Sequence, residues 1–409
     1  MGKIRSARQR ILLFVALALA FAPGAWAAPK YRVLHAFGTG KDGGGLFSGL
    51  ILDSNGNLYG VTRGGGGQGC NGTGCGTVFE LSPGRDGSWA ETILYAFSGK
   101  KDGAFPMAGL ARDSAGSVYG MTTSAGSGGL GTVFELRRGP GGWNLTVLED
   151  GGGFATLDLD RVGNLYGPLG IGAYGEGAVS ELLKGQNWKE SWLYSFCPQK
   201  PCVDGWGAFA GVTWGPKGVL YGTTVYGGNS PYCGNVGCGV VYELKPQSKG
   251  SWKETVLHSF PAFKGDGSKL YYGVTLDKRG NLYGATYQGG SIDCGVIFKL
   301  TRKAGGQWEE TVLHDFTKLS EGCISNNLAF DKHGNLWGTT ESGGNCCGVV
   351  FKLALGSKGK WNYSVVHQFN GSDGAQPAAG VIFDKKGNLY GTTQLGGPGG
   401  GGVVFEITP

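Results

Sequence analysis

The pentapeptide Gly-Asn-Leu-Tyr-Gly at 56–60 returns six more times, and this repetition limits the fold more than any other feature of the chain. Its copies are Gly116-Ser-Val-Tyr-Gly120, Gly163-Asn-Leu-Tyr-Gly167, Gly218-Val-Leu-Tyr-Gly222, Gly280-Asn-Leu-Tyr-Gly284, Gly334-Asn-Leu-Trp-Gly338 and Gly387-Asn-Leu-Tyr-Gly391. A second phrase keeps step with it, from Val78-Phe-Glu-Leu81 through Ile297-Phe-Lys-Leu300 to Val404-Phe-Glu-Ile407. A third, Val33-Leu-His-Ala-Phe37, recurs at 93–97, 256–260, 312–316 and 365–369, with looser copies at 147–151 and 192–196. Three phrases in step over seven units describe seven copies of one structural element.

Each unit reads as four short strands. Strand A is the apolar run before an aspartate, as in Gly49-Leu-Ile-Leu-Asp53, and strand B is Leu58-Tyr-Gly-Val-Thr62. Between them Asp53 accepts backbone N–H groups and Gly56 takes the left-handed position that closes a hairpin. Strand C is the Val-Phe-Glu-Leu phrase and strand D a run such as Trp252 to Phe260. The 83 glycines, in 409 residues, follow no three-residue period, which excludes collagen. Aromatic residues at 12% and charged residues at 16% exclude a disordered chain. The expected fold is all-β: a seven-bladed β-propeller with four-stranded blades. A lone D strand at 31–37 and an A, B, C set at 380–407 predict one-plus-three closure of the last blade by the N-terminal strand.

The composite Asp-x-x-Gly-Asn-Leu-Tyr-Gly-Thr-Thr … Gly-x-Val-Phe-Glu-Leu resembles the GloVer tandem repeat of secreted bacterial proteins, over essentially all of residues 29–409. It is more weakly similar to the two-component-regulator propeller and NHL repeats. The resemblance implies a propeller and an envelope or extracellular setting, and it brings no activity with it. GloVer proteins carry varied C-terminal anchors, and this chain departs from that pattern by showing none.

Residues 1–28 read as a signal peptide, with Lys3, Arg5, Arg8 and Arg10 ahead of the apolar stretch Ile11 to Ala22 and a small-x-small site at Ala25-Trp26-Ala27. That stretch is too short to span a bilayer, so the expected mature chain is a secreted or periplasmic monomer, 29–409, without a membrane span. The precursor carries 36 basic and 30 acidic residues; losing those four cations leaves 32 against 30. A near-neutral chain without a basic run gives nucleic-acid binding no support.

Ten cysteines in an exported chain point to disulfides. Cys70/Cys75, Cys197/Cys202 and Cys233/Cys238 share one spacing and read as local staples, whereas Cys294, Cys323, Cys346 and Cys347 can pair in three ways. All ten fall in B–C loops or D-to-A connections, which emerge on one face of a propeller.

Catalytic constellations are few. His35, His258, His314 and His367 share one strand D position and so lie around the rim, and His333 sits in an A–B turn. An acidic residue precedes each strand A: Asp42, Asp102, Asp150, Asp204, Asp266, Glu321 and Asp373. Seven carboxylates at one position form a candidate ring for a divalent cation at the channel mouth, although turn capping accounts for the same pattern. No other cofactor and no fixed metal site is expected. The six tryptophans opening strand D read as packing anchors.

Departure from the repeat is the better functional signal. Just after strand B the side chains vary, giving the candidate ligand-binding residues Arg63, Tyr226, Tyr287, Gln288, Glu341 and Gln394, near Trp206, Tyr232, Tyr271 and Tyr272. Aromatic faces beside amides and charges suit an extracellular carbohydrate or protein ligand. Two classes follow: a secreted binding or scaffolding propeller, or a propeller hydrolase or lyase working through clustered carboxylates and a divalent cation. Fold alone does not choose between them.

Overall fold

The computed structural model describes residues 29–408 except 39, 263–264 and 357–358; the signal-peptide reading lies outside the described residues. Each repeat forms an antiparallel sheet in the order A-B-C-D. In blade one these strands are Ile51–Leu52, Leu58–Thr62, Thr77–Pro83 and Trp89–Ala96. Seven such sheets make an all-β, seven-bladed propeller with four-stranded blades, and five 3-10 turns of three residues each are the helical content of the described residues. In the last blade Lys30–Ala36 pairs antiparallel with Val403–Thr408, from Lys30 opposite Thr408 to Ala36 opposite Val403.

The repeated phrases each have a physical cause. In the A–B turn, Asp277 Oδ1 accepts the backbone N–H groups of Arg279 and Asn281, and its Oδ2 accepts the Asn281 amide and the Tyr283 hydroxyl. In blade six the indole N–H of Trp337 makes the same bond to Asp331 at 2.9 Å, so Trp replaces Tyr there without loss of the contact. The glycine after that aromatic must stay small, since a Cβ on Gly284 would lie 2.6 Å from the Phe298 ring. Gly280 in the turn has φ +82°, a conformation that side-chain-bearing residues rarely adopt.

Aromatic side chains join the blades. The phenylalanine ending strand D packs against the strand C aromatic of the next blade: Phe37 on Phe79, Phe97 on Phe134, Phe196 on Tyr242 and Phe260 on Phe298, all at 5.0–5.3 Å between ring centroids. Phe369 and Phe405 continue the series, and all but Phe97 of these rings are essentially solvent-free. Between blades two and three the series lapses, because Gly151 and Ser180 occupy the corresponding positions. The strand D tryptophans do pack, as expected: Trp89 on Tyr390, Trp188 on Tyr119, Trp308 on Tyr221 and Trp361 on Tyr283, each reaching the preceding blade.

Five disulfides are formed. Cys70–Cys75, Cys197–Cys202 and Cys233–Cys238 are the local staples expected from their spacing. Cys294–Cys323 ties the B–C loop of blade five to the connection entering blade six, and Cys346–Cys347 joins sequence neighbours. Five bridges fit an oxidising extracellular or periplasmic compartment. No helix among the described residues is long and apolar enough to cross a membrane.

Candidate functional site

The connection entering each strand A carries its first residues over the propeller axis on the disulfide-bearing face. There they line a cavity of about 420 Å³. Its wall is built from one column of the repeat, three residues before the first apolar residue of strand A: Phe47, Met107, Phe154, Phe209, Tyr271, then Ser325 and Ala378. Of these, all but Ser325 line the cavity. Phe154 is 56% exposed and Phe209 40% exposed, although both are large apolar side chains.

These rings form an arc across blades three to five. Phe154 meets Phe209 edge-on at 6.4 Å, Phe209 lies nearly parallel to Tyr271 at 6.2 Å, and Tyr271 meets Tyr287 at 4.9 Å. Burial, with the neighbouring Tyr226 hydroxyl, pushes the Tyr271 hydroxyl up to about 12.

Next to the arc the wall becomes polar, where Tyr272, Asn327, Glu341 and Gln394 line it. The Tyr272 hydroxyl donates to Glu341 Oε1 at 2.5 Å, and Asn327 Oδ1 accepts the Gly273 N–H at 3.0 Å. Burial raises the Glu341 carboxyl above its ordinary range, and the bond from Tyr272 only partly offsets this. Beneath them Asn326 is fully buried, its amide donating to Thr339 Oγ1 at 2.8 Å and to the Pro377 carbonyl at 2.6 Å. One cavity therefore offers an aromatic arc together with a carboxyl, a phenol and two amides, Asn327 and Gln394.

The candidates taken from the variable positions are distributed unevenly. Tyr287, Glu341 and Gln394 line the central cavity together. Arg63 and Gln394 line a smaller neighbouring cavity of about 270 Å³, where the Arg63 guanidinium lies 5.9 Å from the centre of the Phe47 ring. Tyr226 stacks on Trp206 at 4.1 Å under the Lys269 ammonium, also 4.1 Å away, and forms a second aromatic group on this face. Gln288 is exposed and lies in a short backbone pairing with Ser268, outside the central cavity. Phe47, Met107, Phe154 and Phe209 were missing from the sequence candidates. Their signal was a column of large side chains in a connection otherwise rich in glycine and alanine.

The acidic residues before strand A accept backbone N–H groups of their own connections or of a neighbouring loop. Asp150 ends its strand D and the other six follow theirs within nine residues, so each is bonded close to the end of that strand. Asp102 accepts Ser98 N and Oγ and the Tyr95 hydroxyl; Asp204 accepts Tyr194 Oη and Cys197 N; Asp42 accepts Gly38 N. Asp150 accepts Ser127 N, Glu321 accepts Thr317 N, and Asp373 accepts Asn370 N and meets His367 at 3.0 Å. Asp266 accepts Gly267 N, and burial next to Glu310 raises it to about 6. None of the seven is among the residues lining the central cavity. Glu176, Cys197 and Cys202 also lie close together, but both sulfurs are committed to a disulfide. His35, His258, His314 and His367 stand between neighbouring outer strands, at 3.6 Å from Glu91 and 3.1 Å from Glu310 in the first two cases.

The sequence matches the Gloeobacter/Verrucomicrobia repeat over residues 25–232 and 231–409, which together take in nearly the whole chain. The chain belongs to that repeat family. No curated protein matches the sequence. Among solved structures it is similar to a catalytically inactive virginiamycin B lyase from Staphylococcus aureus, solved with quinupristin. That match has a TM-score of 0.55 at 13% identity and covers 93% of this chain and 99% of the lyase. It is also similar to an ancestral GH74 enzyme, with TM-score 0.55 and 13% identity over 89% of this chain and 48% of the enzyme. At that identity the family and its structural neighbours share an architecture, and function has to be argued from the site.

Proposed function

We propose that this propeller is an exported carbohydrate-binding protein whose ligand enters the central cavity of the disulfide-bearing face. The observation that carries the reading is the aromatic arc Phe154–Phe209–Tyr271–Tyr287 sharing one cavity with Glu341, Asn327 and Gln394. A sugar ring presents C–H groups on its faces and hydroxyls at its edge, so it needs an aromatic platform with hydrogen-bonding groups beside it. Phe209 follows the Cys197–Cys202 staple and Tyr287 precedes the Cys294–Cys323 bridge, and loops held in this way reduce the ordering cost of binding. The basic n-region, short apolar stretch and cleavage pattern support export.

The alternative, a hydrolase or lyase, draws its support from Glu341. A carboxyl raised by burial and hydrogen-bonded to a phenol is the kind of group that supplies a proton. Glycoside hydrolysis ordinarily needs a second carboxylate about 5–10 Å away. Glu341 is the single carboxylate among the cavity's lining residues, so binding is the better supported reading.

The test is a glycan-array screen followed by calorimetry on the best ligand, with Tyr287→Ala and Phe209→Ala as variants. Each should bind at least ~10-fold more weakly, because a stacked ring contributes on the order of 1–3 kcal/mol, while the melting temperature stays within a few degrees of the parent. Variants that bind like the parent would remove the ligand from this cavity. Turnover of the bound glycan, abolished in Glu341→Gln, would move the protein to the enzyme class.

A further inference from the structure

The opposite face, built from the A–B and C–D turns, separates charge in a way that the near-neutral total conceals. Every blade presents at least one exposed Lys or Arg in these turns or beside them, among them Lys278, Arg279, Lys385 and Lys386. The acidic residues of the same turns are withdrawn. Asp53, Asp113, Asp160, Asp277, Asp331 and Asp384 are all half-buried, with their oxygens turned to turn N–H groups. Among the described residues of these turns and their flanks, the exposed acids are Asp86, which accepts from Ser88, and Glu309, which pairs with Lys303 at 2.5 Å.

Contacts between blades show that the turns share one surface. Lys332 Nζ donates to the Lys386 carbonyl at 3.3 Å, Arg112 reaches Asp53 at 4.0 Å, and Lys184 pairs with Asp113 at 3.3 Å. The result is a broad face of exposed cations, arranged around the disc rather than along a groove. It also carries two exposed aliphatic side chains at turns, Val162 at 75% and Leu355 at 56%, and its tryptophans are half-buried in the seams between blades.

We propose that this turn face docks the protein on an anionic lipid bilayer. A lysine-rich turn face around the strand A channel, a cavity of about 610 Å³ lined by residues such as Arg112, Asp158 and Thr213, matches a sheet of phosphate headgroups, and cations near such a surface add to attraction one by one. Two separated aliphatic side chains are suited to shallow insertion between headgroups. A single-stranded nucleic acid would need exposed rings on which its bases could stack, and the exposed aromatic side chains near the loops lie on the other face, as with Tyr174 and Tyr232. Docked this way, the disulfide-bearing face and its cavity point away from the membrane.

The experiment is co-sedimentation of the chain from residue 29, which contains all seven blades, with vesicles of phosphatidylcholine alone or with 30% phosphatidylglycerol. Partition onto the anionic vesicles is expected, falling about tenfold or more between 0.05 and 0.5 M salt. A Lys278→Glu/Arg279→Glu/Lys385→Glu/Lys386→Glu variant should lose that partition. A control with the same charge change on the other face, Lys41→Glu/Lys100→Glu/Lys101→Glu/Lys318→Glu, should keep most of it. Matching melting temperatures would show that both variants are folded. Equal loss in the two variants would reduce the effect to net charge and overturn the assignment. Equal binding to phosphatidylcholine alone, or capture by duplex DNA or a sulfated polysaccharide without vesicle partition, would overturn it as well. Glycan binding in the central cavity is measured separately, so either proposal can fail while the other stands.

Discussion

Asp277 does three jobs with one carboxylate: it closes the hairpin, orients Asn281, and anchors the Tyr283 ring that the next blade's Trp361 packs against. Burial alone would raise its carboxyl, but the bonds from Asn281, Arg279 and Tyr283 outweigh burial and hold it below the ordinary carboxylate range. A carboxyl depressed on folding adds stability that is present above its unfolded value and lost as pH falls through the folded one. Asp277→Asn should therefore lower the melting temperature more at pH 7 than at pH 3, a difference measurable by thermal scans across that range. Gly280→Ala should cost on the order of 1 kcal/mol or more at every pH, because the strain at φ +82° does not titrate. Both roles were legible in the sequence, since the hairpin chemistry is local. The partners of Glu341 were not, because Tyr272 lies 69 residues away and only blade packing brings the two together.

At the level of elements, strands B, C and D follow the repeated phrases closely, whereas strand A shrinks to two paired residues in every blade. The chain leaves the sheet early to line the axis, and so the cavity wall comes from a connection and not from a strand. Small extra pairings such as Ala104–Pro106 with strand B, and Gly267–Ser268 with Gln288–Gly289, depend on loop conformations that no periodicity announces. The outer strands carry a second consequence of packing. Glu254, on strand D of blade four, is buried beside Asp204 and Glu243 and is raised to about 8, chiefly by burial. Its proton is held by the folded state, so stability is greatest below the ordinary glutamate value and falls as pH rises toward 8. Glu254→Gln should raise the melting temperature at pH 8 by several degrees, corresponding to a few kcal/mol, and leave it nearly unchanged at pH 4. Cys294–Cys323 acts between elements as well, since its 29-residue separation crosses a blade seam. Replacing both cysteines by serine should cost roughly 3–4 kcal/mol on loop-closure grounds, against about 2 for the five-residue Cys70–Cys75 staple, as read from denaturant unfolding.

The number of blades could be counted in the sequence because repetition survives without knowledge of three-dimensional contacts. The separation of charge between the two faces could not, since it depends on which turns share a surface and which carboxylates are turned inward. Closure lies between these cases: the unmatched D strand could be read, but its energetic weight comes from packing. Tyr31, Val33 and Ala36 lie against Ile407, Phe405 and Val403 in the seventh blade, while Phe37 packs on Phe79 of the first. The same short strand therefore holds both the hydrogen-bonded edge and the seam between first and last blades. A chain beginning after residue 38 should expose the 403–408 edge and the hydrophobic seam together. Loss of the seven-blade ring as one cooperative unit is expected, with a broadened thermal transition and self-association detectable by light scattering. A synthetic peptide of residues 29–38 added in excess should restore a single sharp transition by occupying the vacant edge. A truncated chain that stays monomeric and melts like the parent would show that blade-to-blade packing closes the ring without this strand.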